Sequence, residues 1–450
     1  MDCTTLLAKY GQPVPRYTSY PTAPHFSAAV TDADYERWLR DIPGETAVSL
    51  YLHVPFCASL CLFCACHTTV ATRPEPLAAY AETLRAEVDL VADRIGRRLP
   101  VAHVHWGGGT PTSLPPDAMR AVMDRLRARF AFDATAEIAV EVDPRTCSAE
   151  TVETLAAIGV NRVSLGVQDF DPAVQQAIRR HQSFDLTARC IQDLRSAGIG
   201  SVNLDLIYGL PHQTTDGVRH TIAQALQPRP DRVAVFGYAH VPWMKKHQAL
   251  IPEAALPGAL DRFVQCEAAG ETILAAGYRA VGHDHFALPA DSLAMAAATG
   301  RLRRNFQGYT TDGATVLIGF GASSIGSMPD GYVQNHAAVP AWRDSVRSGR
   351  LPLARGVALT HDDRLRRAVI ERIMCDFAVD LHAVAARFDA DPADLMDAAP
   401  ALQVMARDGL LEWDGYALSL TPTGRPFVRS VAATFDARAR TAAARHSAAV

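Results

Sequence analysis

Six short apolar runs rich in β-branched residues recur along the first half of the chain: VSLYLHV from Val48, VAHVHW from Val101, EIAVEV from Glu137, RVSLGV from Arg162, SVNLDLIYG from Ser201 and RVAVFGYAH from Arg232. Each is followed by a loop and a helical stretch, an alternation of strand and helix. The helices carry their own signals. PLAAYAETLRAEVDLVADRI and PDAMRAVMDRLRARF place apolar residues three and four apart, and SAETVETLAAIG opens on a Ser cap and closes on Gly. Strands joined by helical crossovers pair in parallel and are covered by helices. The pattern predicts either an open doubly wound sheet or a closed or partial barrel, and periodicity does not choose between them.

Outside this rhythm the pattern changes. Residues 1–41 read as an extended, Pro- and Tyr-rich arm, forming a lid, that ends in the short helix DADYERWLRDI; residues 42–285 hold the strand–helix core. Residues 286–359, including LRRNFQGYTTDGATVLIGFGASSIG, read as an irregular connecting segment that closes the site. Residues 360–450 read as a mainly helical domain ending in a small hairpin at DGYALSLTPTGRPFV, similar to a winged helix, followed by a fraying Ala/Arg-rich tail, ARARTAAARHSAAV.

Composition narrows the function. Acidic residues outnumber basic ones by four in 450, and the hairpin domain has no basic recognition face, so neither nucleic acid nor an anionic membrane is expected as a partner. The N-terminus lacks the charged start, apolar core and small-residue cleavage site of a signal peptide, and no apolar stretch approaches the roughly 20 residues that span a bilayer. A cytoplasmic location is expected. Of nine cysteines, four lie between Cys57 and Cys66, a crowding that suits metal in a reducing compartment better than disulfides. The isolated Cys3, Cys147, Cys190, Cys266 and Cys375 read as small buried hydrophobes.

Cys57, Cys61 and Cys64 stand at C-x3-C-x2-C directly after the first strand. A short loop can wrap three corners of a [4Fe–4S] cubane and leave the fourth open for chemistry. The competing reading is structural zinc held by Cys57, Cys61, Cys64 and Cys66, or with His67; its usual form is two separated C-x2-C pairs, and there is no second pair. Cys66 stands where a fourth ligand would close the open corner, and is read as a nearby thiol. The spacing and its place on a βα array resemble the radical S-adenosylmethionine superfamily. That resemblance implies a partial (β/α)6 barrel in an α/β chain, S-adenosylmethionine on the open iron, and Phe63 against the adenine.

Barrel enzymes carry their reacting groups at the C-terminal ends of strands. Those ends present WGGGTPT at Trp106–Thr112, EVDPR with Glu141, GVQDF with Gln168 followed by Arg179 and Arg180, NLDLIYGLP with Asp205, and FGYAHVPW with Ala239. Singly each has a bland structural explanation. Together they make a ring of acceptors and donors suited to the hydroxyls, ammonium and carboxylate of S-adenosylmethionine.

These motifs, with PRYTSYPTAPHF, CASLCLFCAC, RNFQGYTTDG and RRAVIERIMCDF, resemble the oxygen-independent coproporphyrinogen III oxidase family over nearly the whole chain. The resemblance implies that Tyr51, Phe63, Gly108, Gly109, Thr110, Glu141, Gln168, Arg180, Asp205, Ala239 and Ile325 contact two molecules of S-adenosylmethionine. It implies a 5′-deoxyadenosyl radical that takes a propionate β-hydrogen from coproporphyrinogen III, with loss of CO2 and one electron leaving a vinyl group; two rounds give protoporphyrinogen IX in haem biosynthesis. It also implies an electron-donor protein such as a flavodoxin or ferredoxin. Arg16, Tyr17, Lys245, Lys246, Arg303 and Arg304 are candidates for the tetrapyrrole's carboxylates, and the pairs His103/His105 and His283/His285 read as strand or loop packing or, alternatively, as residues that approach the substrate. Competing functions are a haem-binding chaperone of the same fold, whose members generally lack the PRYTSYP and RNFQGYTT segments, and a radical methyltransferase of anaerobic haem breakdown.

Overall fold

The computed structural model describes residues 2–439; most of the Ala/Arg-rich tail, residues 440–450, lies outside them. The six predicted runs form parallel strands β1 (Val48–Val54), β2 (Pro100–Gly108), β3 (Ala131–Val142), β4 (Arg162–Gln168), β5 (Ser201–Tyr208) and β6 (Arg232–Gly237). They are joined by β7 (Arg279–Val281), β8 (His285–Ala287), β9 (Val316–Phe320), β10 (Ile325–Met328), β11 (Gly331–Asn335) and β12 (Leu353–Ala358). The sheet order is β12-β11-β10-β9-β1-β2-β3-β4-β5-β6-β8-β7, with an edge at each end, so the barrel is partial.

The connecting segment departs from expectation. Residues 286–359 are not simply irregular: β9 pairs in parallel with β1, Val48 opposite Val316 through Leu52 opposite Phe320, and adds a seventh parallel strand to the six predicted. β10, β11 and β12 then extend the sheet antiparallel. Glu87, on the helix Pro74–Ile95, fastens this segment by accepting from Gly321 N at 2.7 Å, Trp342 Nε1 at 3.0 Å and Asn335 Nδ2 at 2.6 Å.

Strand alternation divides β1 between two environments. Leu50, Leu52 and Val54 are buried with Leu84, Val88 and Trp342 in the layer between sheet and helices, each worth about 1.5–3 kcal/mol of burial. Ser49, Tyr51 and His53 project to the other face, where Tyr51 meets His105 of β2 with ring centroids 5.9 Å apart.

The C-terminal domain has its own apolar core, with Leu365, Ile373, Leu402, Val431 and Phe435. The helix His361–Asp376 starts on a reciprocal cap between Thr360 and Asp363, and a three-stranded sheet closes with the predicted hairpin, Leu411–Trp413 against Ala417–Leu420. The arm is less extended than expected: it begins with a helix, Cys3–Tyr10, capped by Asp2. It packs into the same core through Leu6, Tyr10, Tyr17 and Tyr20, with Tyr17 donating to Asp436 at 3.0 Å. No helix among the described residues is long and apolar enough to cross a membrane.

Candidate active site

Beyond β1 the chain makes a two-residue pairing, Phe56–Cys57 with Thr69–Val70, which closes the cysteine loop at its base. A second segment clamps the loop from outside: Lys245 Nζ donates to Cys66 O at 2.8 Å, His247 Nε2 meets Cys64 O at 2.7 Å, and buried Gln248 donates from Nε2 to Phe63 O at 2.8 Å. Cys57, Cys61 and Cys64 line one cavity of about 170 Å³ at the barrel mouth. The Cys57 sulfur accepts from Thr68 Oγ1 at 3.1 Å and Thr110 Oγ1 at 3.5 Å, and burial raises its pKa. The Cys61 sulfur receives Arg145 Nη2 at 3.5 Å and Arg180 Nη1 at 3.7 Å. Cys66 is exposed yet borders the same cavity, and its proximity holds the Cys64 thiol below the usual pKa.

The strand ends border the same cavity as the thiols. Gly108 has φ 114°, and a Cβ there would lie 2.7 Å from the His53 ring; a Cβ on Gly109 would lie 2.6 Å from Phe56 O. The tight turn admits only glycine without strain. Glu141 on β3 accepts from Gly108 N at 3.2 Å and sits 3.3 Å from His105 Nε2. Gln168, at the end of β4, is buried and holds φ 72°, a left-handed conformation unusual for its side chain. Asp205 accepts from Ser164 Oγ and Asn203 Nδ2, both at 2.8 Å, and burial raises its pKa. Asp143 is opposed by burial, but bonds from Arg145 at 2.6 Å and Arg180 at 3.4 Å hold its pKa below the usual value.

The cavity thus gathers Cys57, Cys61, Cys64, Phe63, Gly108, Gly109, Thr110, Glu141, Gln168, Arg180 and Asp205. Three expected residues do not line it. Tyr51 lies deeper in the barrel, donating to His53 Nδ1 at 3.0 Å; Ala239 accepts from Gln248 Nε2 at 3.2 Å behind the loop; and Ile325 packs with Phe26 and Tyr332 at β10. Thr68, Asp143, Arg145, Ser164 and Gly166 line the cavity without having been singled out. Asp143 and Arg145 stand in the EVDPR motif beside Glu141, so position past a strand end was the signal. Of the carboxylate candidates, Lys245 is engaged with the cysteine loop and Arg303 with Glu371 at 3.1 Å. His105 reaches the site through Glu141, beyond simple packing.

The donor set fits a cubane. Cys57, Cys61 and Cys64 line one cavity, and three thiolates suit three of the four irons of a cluster. Thiols after the first strand of a partial parallel barrel, faced by a glycine turn and strand-end polar groups, define a radical S-adenosylmethionine protein. Residues 51–225 match the Radical SAM superfamily model, and residues 359–427 match the HemN C-terminal domain.

Relatives make the assignment more specific. The chain is 50% identical over 446 residues, 99% of each protein, to the oxygen-independent coproporphyrinogen III oxidase of Bradyrhizobium diazoefficiens. It is 39% identical to that of Pseudomonas aeruginosa, over 96% of this chain and 95% of the relative. Its fold matches the solved coproporphyrinogen III oxidase (HemN) from Escherichia coli, a radical SAM enzyme, with a TM-score of 0.91 and 38% identity over 97% of this chain and 99% of that one. The chain belongs to the oxygen-independent coproporphyrinogen III oxidase family.

Proposed function

We propose that this protein converts coproporphyrinogen III to protoporphyrinogen IX by oxygen-independent oxidative decarboxylation, a step of haem biosynthesis in the cytoplasm. The observation that carries the reading is one cavity lined jointly by Cys57, Cys61 and Cys64 and by the ends of β2 to β5, in a chain of this family. When bound, a [4Fe–4S] cluster and S-adenosylmethionine supply a 5′-deoxyadenosyl radical able to remove a propionate β-hydrogen, after which CO2 and an electron leave.

The chain's own residues bind, orient and shield. Cys57, Cys61 and Cys64 would hold three irons of the cluster, and Cys66 would remain off it. Arg145 and Arg180 surround Cys61 with donors suited to a metal-bound thiolate, and Asp143 fixes both guanidinia. Glu141 and Asp205 are acceptors for ribose hydroxyls or an ammonium, and the glycines at 108 and 109 let a ligand approach the backbone. Phe63 offers an apolar face to adenine. With Thr110, Gln168 and Arg180, which line the cavity, and Tyr51, Ala239 and Ile325, which stand outside its lining on adjoining strands, these residues would serve two S-adenosylmethionine molecules. The arm (1–41) and the segment 286–359 close the site over the core (42–285), with the described part of the C-terminal domain, residues 360–439, supporting the arm. A flavodoxin- or ferredoxin-like protein supplies the electron.

The test is anaerobic turnover of the cluster-reconstituted protein with coproporphyrinogen III and a chemical reductant. Vinyl product and CO2 in step with 5′-deoxyadenosine are expected. Cleavage of S-adenosylmethionine with no vinyl product would reject the oxidase and favour a methyltransferase or a haem chaperone of the same fold.

A further inference from the structure

Four arginines from four separate segments meet beside the C-terminal end of β6. Arg16 of the arm donates from Nη2 to Gly237 O at 3.3 Å. Arg262, on the helix Ala259–Ala275, donates from Nη1 to Tyr238 O at 2.9 Å. Arg304, in the hairpin that pairs Arg303–Asn305 with Gly308–Thr310, donates from Nη2 to Arg16 O at 3.3 Å and lies 4.4 Å over the Tyr309 ring. Arg429, buried in the C-terminal domain, donates from Nε to Pro15 O at 3.1 Å. Burial, and after it the nearby Arg16 charge, pulls the Arg429 pKa down to about 10.

A latch holding the arm to the barrel would explain these carbonyl contacts, to which Arg429 adds a second at Val14 O, but it does not call for this much like charge. Asp284 is the carboxylate facing the group, and His285 Nδ1 already engages it at 2.6 Å. Among the described residues Arg16, Arg262 and Arg304 form no salt bridge, whereas neighbouring Arg303 does. Arg304 Nε and Nη1 are buried without an acceptor. Unpaired charged donors in that setting are unfavourable, and a bound carboxylate would offset the cost through paired N–H groups in a planar fork. The position is also right: β6 runs on to Ala239, whose carbonyl shares the Gln248 amide with Phe63 of the cysteine loop. Arg304 further borders a second cavity, which the partly exposed aromatic side chain of Phe306 also lines.

We propose that Arg16, Arg262 and Arg304 form a carboxylate-binding subsite that holds a propionate not undergoing reaction, and so sets which propionate reaches the cysteine cavity. The subsite rests on the tetrapyrrole reading above. Arg429 and Asp284 are positioning residues behind it.

The test uses full-length, cluster-loaded protein and two readouts: anaerobic KM and kcat for coproporphyrinogen III, and fluorescence titration with coproporphyrin III against its tetramethyl ester. The Arg16→Gln/Arg262→Gln double variant is expected to raise KM roughly ten-fold or more, as loss of charged hydrogen bonds predicts, with a much smaller fall in kcat. It should also lose most of the wild-type preference for the free acid, and Arg16→Lys/Arg262→Lys should recover part of it. Arg16 is exposed, so Arg16→Gln alone carries the test should the double variant lose its melting transition. An unchanged acid preference in a folded variant overturns the subsite. Wild-type protein that neither binds nor turns over the tetrapyrrole overturns the reading beneath it.

Discussion

From β2 to β5 the barrel rim presents carboxyl groups and, across the cavity, thiols, with Asp143 already matched by Arg145 and Arg180. Past β6 the same rim carries Arg16, Arg262 and Arg304, to which no carboxylate among the described residues is paired. The contrast matches two ligands of opposite character. S-adenosylmethionine brings a sulfonium and an ammonium, and coproporphyrinogen III brings four carboxylates. Separating the charges along one rim lets a single mouth hold both without either favouring the other's place. The arm that carries Arg16 is held to the C-terminal domain by a shared apolar core and by Arg429, which bonds Pro15 O.

Removing a cluster ligand should separate the halves most sharply. Cys61→Ser is expected to bring cluster iron and vinyl product to background while tetrapyrrole affinity stays near wild type; iron analysis and fluorescence titration check this, and joint loss would mean the halves are not independent. Next is Arg180→Gln. Arg180 is buried, bonds Gly166 O and pairs with Asp143, so its removal leaves a buried carboxylate with one partner fewer and should cost about 3 kcal/mol in denaturant unfolding.

Glu87 is a carboxyl away from both halves and serves as a control. Burial pushes it up from 4.5 to about 7, against hydrogen bonds from Gly321, Trp342 and Asn335 that favour its charge. The fold therefore favours the protonated acid. That stabilisation is full below the unfolded value, is lost as pH rises from about 4.5 to 7, and stays lost above; the shift corresponds to about 3 kcal/mol. Glu87→Gln should flatten this part of the stability–pH curve and leave S-adenosylmethionine binding unchanged. The smallest effect is expected for Gly108→Ala. Its φ of 114° and the His53 ring 2.7 Å from the new Cβ should cost about 2 kcal/mol in unfolding and weaken S-adenosylmethionine binding, as isothermal titration would show.

Much of this was legible in the sequence, for identifiable reasons. The six strands were readable because each apolar run is long and β-branched, and the thiols because their spacing is short-range. β9 was not. VLIGF is five residues set among Gly and Thr, and its status as a strand depends on pairing with β1, more than 260 positions earlier. Tyr51 was expected among the ligand contacts, but strand alternation sends it into the barrel against His105, below the cavity. Arg145 escaped notice because it stands on a three-residue turn after β3, and only the folded chain brings it to Cys61. Arg262 and Arg429 carry no local signal at all: one lies on an ordinary crossover helix, the other in a different domain.

The central claim is that three thiols, and not four, hold the cluster, leaving one iron for S-adenosylmethionine. Electron paramagnetic resonance of the reduced, reconstituted protein tests it directly. In both wild type and Cys66→Ser the account predicts a [4Fe–4S] signal that shifts when S-adenosylmethionine is added. Loss of the cluster in Cys66→Ser, or a wild-type signal indifferent to S-adenosylmethionine, would contradict it.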